Sequence, residues 1–278
     1  MLTIVCALFA EAQEIIQKFQ LKKEIARTHF QMFTDEKQEI RLVITGVGAV
    51  AAATAVAEVS TLHVPGKSDL LLNFGTCAAG NDIPIGEVFL CCKITEECSG
   101  RTFYPDMLYR HPFAETELVS CVKIKTPAKM QISGSGEIYD MESAAVYQAG
   151  NYYYGPQQMQ FIKIVSDHGA LGHTEIPHSE AVCRYVSDLC GLSTSKGELE
   201  KKRILLKQQT KKEAAVLGEQ LHCSTVMQRE LEQLLWYRKL TGTFDVALPE
   251  ALRNQGRLPS RDKREGKKIL DELKGQLF

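Results

Sequence analysis

Two acidic residues stand where apolar runs end, and a third where a Gly/Ser loop turns into a helix. Leu2-Thr3-Ile4-Val5-Cys6-Ala7-Leu8 reads as a buried strand passing directly into a helix, Phe9-Ala10-Glu11-Ala12-Gln13-Glu14, with Glu11 near the junction. Phe161-Ile162-Lys163-Ile164-Val165-Ser166-Asp167-His168-Gly169 is a second apolar strand, with Asp167 just past its end. Tyr139-Asp140-Met141-Glu142-Ser143-Ala144-Ala145-Val146 turns out of a Gly/Ser loop into a helix. Asp140 suits its N-cap, and Glu142 the first turn, where backbone N–H groups and the helix dipole favour negative charge. A carboxylate held there can accept hydrogen bonds from a polar ligand. Taken singly, each acid also has an ordinary reading as a helix-start or loop residue. Together they fall at the carboxyl ends of strands, where open α/β sheets bind ligands.

The elements that must position these acids follow from the same patterning. His29 to Phe33 and Ile40 to Thr45 flank the polar turn Thr34-Asp35-Glu36-Lys37-Gln38 and predict a hairpin. Gly46-Val47-Gly48 leads into an Ala-rich helix ending near Leu62. This resembles a dinucleotide fingerprint, but Asp69, the acid at the right spacing, begins the next strand instead of ending it. Leu70 to Phe74 is a buried strand, and Gly75-Thr76-Cys77-Ala78-Ala79-Gly80 reads as a small-residue loop whose backbone N–H groups can approach a ligand. Ile85 to Ile94 and Leu118 to Ile124 read as further strands. Between them, Phe103, Tyr104, Tyr109, His111 and Phe113 either line a pocket or pack on the body, with packing the commoner role. Strands alternating with small-residue helices predict an α/β three-layer sandwich, with a central, mostly parallel mixed sheet flanked by helices.

From Ser193 the texture changes to Lys, Glu, Gln and Leu at helical spacing. Residues 193–278 are read as a helical, basic C-terminal extension to an α/β domain of residues 1–192. Its apolar stripe is Leu205, Leu217, Leu221, Met227, Leu231, Leu234 and Leu235. A Pro/Gly/Arg-rich connector, Leu248 to Ser260, precedes a last charged helix, Arg261 to Leu277. The extension holds 18 Lys and Arg against 12 Asp and Glu, whereas the body holds 15 against 22. The net charge of -1 gives no general argument for nucleic acid or membrane, and most basic helices are simply solvated. The nine cysteines include no CxxC pair and lie mostly in apolar runs (Cys6, Cys77, Cys91, Cys92, Cys121), as reduced thiols of a cytoplasmic protein would. The N-terminal apolar run has no basic leader and is not read as a signal peptide. His168, His173 and His178 recur every five residues, which does not align them on one helix face, and no metal is expected.

In this order, Glu11, Gly46-Val47-Gly48, Asn73-Phe74-Gly75-Thr76-Cys77-Ala78-Ala79-Gly80, Met141-Glu142 and Ser166-Asp167 resemble the purine nucleosidase and nucleoside phosphorylase superfamily, in particular the methylthioadenosine/S-adenosylhomocysteine nucleosidases. The resemblance spans roughly residues 1 to 190 with a gap. It implies hydrolysis of a purine N-glycosidic bond, in which a proton reaches the leaving base while water attacks an oxocarbenium-like sugar. By the same resemblance Asp167 supplies the proton with Ser166 orienting it, and Glu11 activates water. Glu142 grips the ribose hydroxyls with Met141 packing on the sugar, and Thr76 belongs to the binding loop. Asp167 would then need an environment that keeps it protonated and Glu11 one that keeps it ionised. Phosphorylases of the superfamily carry a Gly/Arg phosphate loop after the first strand. Here Leu8-Phe9-Ala10-Glu11 puts an acid there, which favours water over phosphate. Lys163 stands where the nucleosidases carry arginine; it can orient acids, but without bidentate geometry.

The chain departs from the family between Lys125 and Tyr139, which is short for the base-reading segment and keeps only Ile132-Ser133-Gly134-Ser135-Gly136 in its place. That departure leaves the base and the family's homodimer open. It also leaves two alternatives: a futalosine-hydrolase-like enzyme, or a degenerate fold serving as a binding or scaffold module whose basic C-terminal helices contact a protein or nucleic acid. No cofactor is expected.

Overall fold

The computed structural model describes residues 1–25, 28–125, 136–169, 180–241 and 252–275. The chain divides into two compact units, Met1–Gly197 and Glu198–Phe278. The compositional change at Ser193 falls inside a single helix, Glu180–Gln220.

In the first unit, β1 (Leu2–Cys6), α1 (Phe9–Lys18), β2 (Lys22–Glu24), β3 (Gln31–Thr34), β4 (Ile40–Ile44) and α2 (Ala49–Leu62) come first. They are followed by β5 (Leu70–Ala79), β6 (Val88–Glu96), β7 (Thr102–Phe103), β8 (Ala114–Ser120), β9 (Ile138–Asp140), α3 (Ser143–Gly150), β10 (Met159–Asp167) and the start of α4 (Glu180–Gln220). The sheet runs β10-β6-β8-β9-β5-β1-β4-β3-β2, with β7 beside β6, and an additional β10–β5 pairing partly closes it. It is mixed: β1 lies parallel to β4 and β5, β10 parallel to β5, and β3–β4 form the expected antiparallel hairpin.

Side chains alternate between the two faces of each strand, and this sorts the core into two clusters. Leu2, Ile4, Leu70, Leu72, Ile162 and Ile164 pack with α1 and the first turns of α4. Val5, Leu71, Cys77, Phe161 and Val165 pack with α2 and α3 on the other face. Such runs, buried on both sides, are why the strands read as unbroken apolar sequence.

Two expectations need correction. Gly75 to Ala79 is no loop. It continues β5, because β10 pairs along one side and β9 takes Ala78 and Ala79 on the other. The strands expected over 85–94 and 118–124 lie at Val88–Glu96 and Ala114–Ser120, displaced by their mutual parallel pairing. In the aromatic stretch the commoner role holds: Phe103 stacks on Tyr147 at 5.0 Å between ring centroids, Phe113 meets Tyr185 edge-on at 5.4 Å and Tyr109 is buried, while Tyr104 is exposed.

In the second unit, the end of α4, α5 (Thr225–Thr241) and α6 (Lys263–Gly275) enclose their own core. Leu217, Leu221, Met227, Leu231, Leu234 and Leu235 are buried there against Ile269, Leu270 and Leu273. Leu205 does not join the stripe and is 59% exposed, because it lies three turns before the first buried leucine, beyond the reach of α6. Among the described residues, no helix is long and apolar enough to cross a membrane.

Candidate active site

Glu11 lies in the first turn of α1, directly after β1, and is only 5% exposed. Its Oε2 accepts the N–H groups of Ala7 (3.0 Å) and Leu8 (2.9 Å), reaching back to the helix cap as a glutamate at the third helical position can. Its Oε1 accepts both the N–H and the hydroxyl of Thr76, each at 2.8 Å. Each oxygen thus accepts two hydrogen bonds. Gly75 makes this possible, since a Cβ there would stand 3.1 Å from Glu11 Oε1.

Glu142 is the N-cap of α3, one position before the helix, and is 8% exposed. Its Oε1 accepts the Gly48 N–H at 2.7 Å. Gly46 and Gly48 have φ of 82° and 103°, so the turn after β4 is one that glycine forms without strain. The Gly46-Val47-Gly48 motif therefore aims a backbone donor at a carboxylate of this protein. Burial, then the neighbouring carboxylates of Asp140 and Glu11, push the Glu142 carboxyl up. Lys163 and the Gly48 N–H oppose that rise.

Asp140 closes β9 and is not the helix N-cap, although its Oδ2 does take the Ser143 N–H at 2.9 Å. The same oxygen takes the Ser143 hydroxyl at 2.6 Å and Lys163 Nζ at 2.9 Å, while the buried Oδ1 has no hydrogen-bond partner among the described residues. Lys163 is 1% exposed and does not line the cavity. Burial pulls its ammonium down, but Asp140, Glu142 and Glu11 together outweigh that and hold it above the ordinary lysine range. Asp167 is the last residue of β10. Its Oδ2 accepts the Ser166 hydroxyl at 2.9 Å and its Oδ1 the Gly169 N–H at 2.8 Å.

These pieces converge because Asp167 pairs with Ala78 and Ala78 with Tyr139, which lays β10, β5 and β9 side by side at their site ends. Glu11, Thr76, Met141, Glu142, Ser166 and Asp167 all line one cavity of about 370 Å³, within the range of small-molecule sites. Sequence reasoning missed Asp140, Tyr139, Lys123 and Lys125, which share its wall. Lys125 is paired to Glu97 at 2.5 Å and lies over the Tyr139 ring. Of the residues expected to read the base, 132–135 lie outside the described residues, as do His173 and His178. Among the described residues, no group of three or more His, Cys, Asp or Glu is placed to hold a metal ion.

Residues 2–123 match the family model of the phosphorylase superfamily. The first unit has the phosphorylase-superfamily fold. Its solved relatives include the 5′-methylthioadenosine/S-adenosylhomocysteine nucleosidase of Colwellia psychrerythraea in complex with adenine, at 17% identity and TM-score 0.54, over 69% of this chain and 94% of that one. The Neisseria meningitidis nucleosidase in complex with methylthio-immucillin-A is 16% identical with TM-score 0.51, over 69% and 93% of the two chains. A futalosine hydrolase mutant of Helicobacter pylori is 12% identical with TM-score 0.50, over 73% and 97%. No curated protein matches the sequence. Within this superfamily fold, the carboxylates occupy the ends of the parallel strands, where open α/β sheets bind their ligands.

Proposed function

We propose that the protein hydrolyses the N-glycosidic bond of a purine nucleoside. The observation that carries this reading is that Glu11, Glu142 and Asp167, distant in sequence, line one cavity large enough for a nucleoside. Asp167 gives a proton to the leaving purine as the C–N bond breaks and its electron pair passes to the base. Glu11 takes a proton from the water whose oxygen bonds to the anomeric carbon. Glu142, with Oε1 fixed by Gly48, offers Oε2 to the sugar hydroxyls. Water is preferred to phosphate as nucleophile because Glu11, which lines the cavity where the nucleophile must stand, would repel an anion.

A coupled assay for free purine over a panel of ribosides and 5′-thioribosides tests the reading. Release that falls by about 10²-fold or more in Asp167→Asn is expected. No release from any nucleoside by folded wild-type protein would refute it. Including futalosine in the panel separates the two kinds of hydrolase represented among the similar structures.

A further inference from the structure

We propose that the buried Lys163–Asp140 ion pair is the positioning device of the site, fixing the start of α3 so that Glu142, two residues from Asp140, is held where it can receive a sugar hydroxyl. The inference rests on the hydrolase reading for its consequence, but on geometry for its existence. Lys163 pairs in register with Gly75 of β5, and in a parallel pair the two residues face the same side of the sheet. Gly75 is the residue whose missing Cβ makes room for the Glu11 carboxylate. The ammonium is therefore at the level of the acids but behind the cavity wall, with its side chain only 2% exposed and its Nζ 2.9 Å from Asp140 Oδ2.

Ser143 and Asn73 complete the support. The Ser143 hydroxyl lies 2.6 Å from Asp140 Oδ2 and 2.9 Å from Asn73 Oδ1, which ties the start of α3, and with it Glu142, to the centre of β5. The titratable groups that sense Lys163 come from every surrounding element: Glu11 on α1, Cys6 on β1, Cys77 on β5, Cys91 on β6, Asp140 on β9 and Glu142 at the start of α3. Carboxylates crowded in one site disfavour one another's ionised forms, and a buried cation reverses this. The lysines that do line the cavity, Lys123 and Lys125, belong to the segment following β8, and Lys125 is already engaged by Glu97.

The two partners of the pair act on Glu142 with opposite sign, which separates a positioning role from a merely structural one. Removing the cation in Lys163→Met is expected to move the acidic limb of the kcat/KM–pH profile upward by about one unit, with the loss mainly in KM. Lys163→Arg keeps the charge and is expected to restore the limb. Asp140→Asn removes a competing anion and is expected to move the limb downward. Limbs that stay in place while activity falls, or that move the same way in both charge-removing variants, would overturn the proposal. If Lys163→Met does not fold, the direction of the shift in Asp140→Asn decides alone. Should wild-type protein cleave no nucleoside, NMR titration of the Glu142 carboxyl carbon in the same variants reads the same displacements, so the positioning role stands or falls separately from the hydrolase reading.

Discussion

Glu11→Gln is a nearly isosteric change at a residue held by four donors: the N–H groups of Ala7, Leu8 and Thr76 and the Thr76 hydroxyl. An amide keeps one oxygen, so its NH₂ must face either two backbone N–H groups or the Thr76 pair. The second choice is the cheaper one, because the Thr76 hydroxyl can turn and accept while the two cap donors keep the oxygen. What then remains is one buried N–H, that of Thr76, opposed by a donor. An unsatisfied buried donor costs about 1–3 kcal/mol. For a domain of this size each kcal/mol moves the melting midpoint by about 2–4 °C, so a fall of about 2–12 °C is expected by calorimetry. Base release is expected to fall further, by about 10²–10⁴-fold, as for loss of a general base. A variant that melts like wild type would refute the four-donor geometry, and one that still releases purine at the wild-type rate would refute Glu11 as the base.

Gly75→Ala places a methyl 3.1 Å from Glu11 Oε1 and 3.3 Å from its carboxyl carbon. Because the carboxylate is pinned by its donors, an activity loss of about 10-fold or more is expected with the fold retained, measured by purine release beside circular dichroism. Glu142 carries a raised pKa through burial and its neighbours, so its ionisation opposes folding. The contribution is favourable below the ordinary glutamate value and is lost as pH rises through the folded one. Glu142→Gln is therefore expected to melt higher than wild type at pH 7.5, with the gap closing towards pH 4.5 and activity lost; melting curves at the two pH values check it. Burial pushes the Cys121 thiol on the cavity wall up to about 12. Cys121 is expected to resist iodoacetamide at pH 7.5 while exposed Cys98 is labelled, which peptide mass spectrometry reads out.

The parts of the fold that could be read from the sequence are those where local pattern and tertiary demand agree. The β3–β4 hairpin is written in two apolar runs around a polar turn, and β1 and β10 in runs apolar on both faces. Gly75 to Ala79 was illegible as strand because glycine and alanine are depleted in strands and the single Thr76 does not outweigh them; the pairing of β10 and β9 on either side supplies the strand. Glu11 and Asp167 were legible because each follows an apolar run, and Glu142 because it stands where a Gly/Ser loop turns into a helix. The partner of Lys163 was not, because Asp140 stands 23 positions away in a segment that reads as a helix cap, and only the β-sheet brings them to 2.9 Å. Leu205 shows the converse failure: helical spacing marks a face, but only a packed neighbour determines how far along the helix that face is buried.

Hydrolysis by this site requires the acids to converge on one bound nucleoside. A crystal structure with a non-hydrolysable purine nucleoside analogue tests this directly. It is expected to show a ring nitrogen of the base within about 2.6–3.2 Å of an Asp167 carboxylate oxygen, the sugar hydroxyls on Glu142, and Glu11 facing the anomeric carbon. An analogue bound elsewhere, or seated with its base away from Asp167, would contradict it.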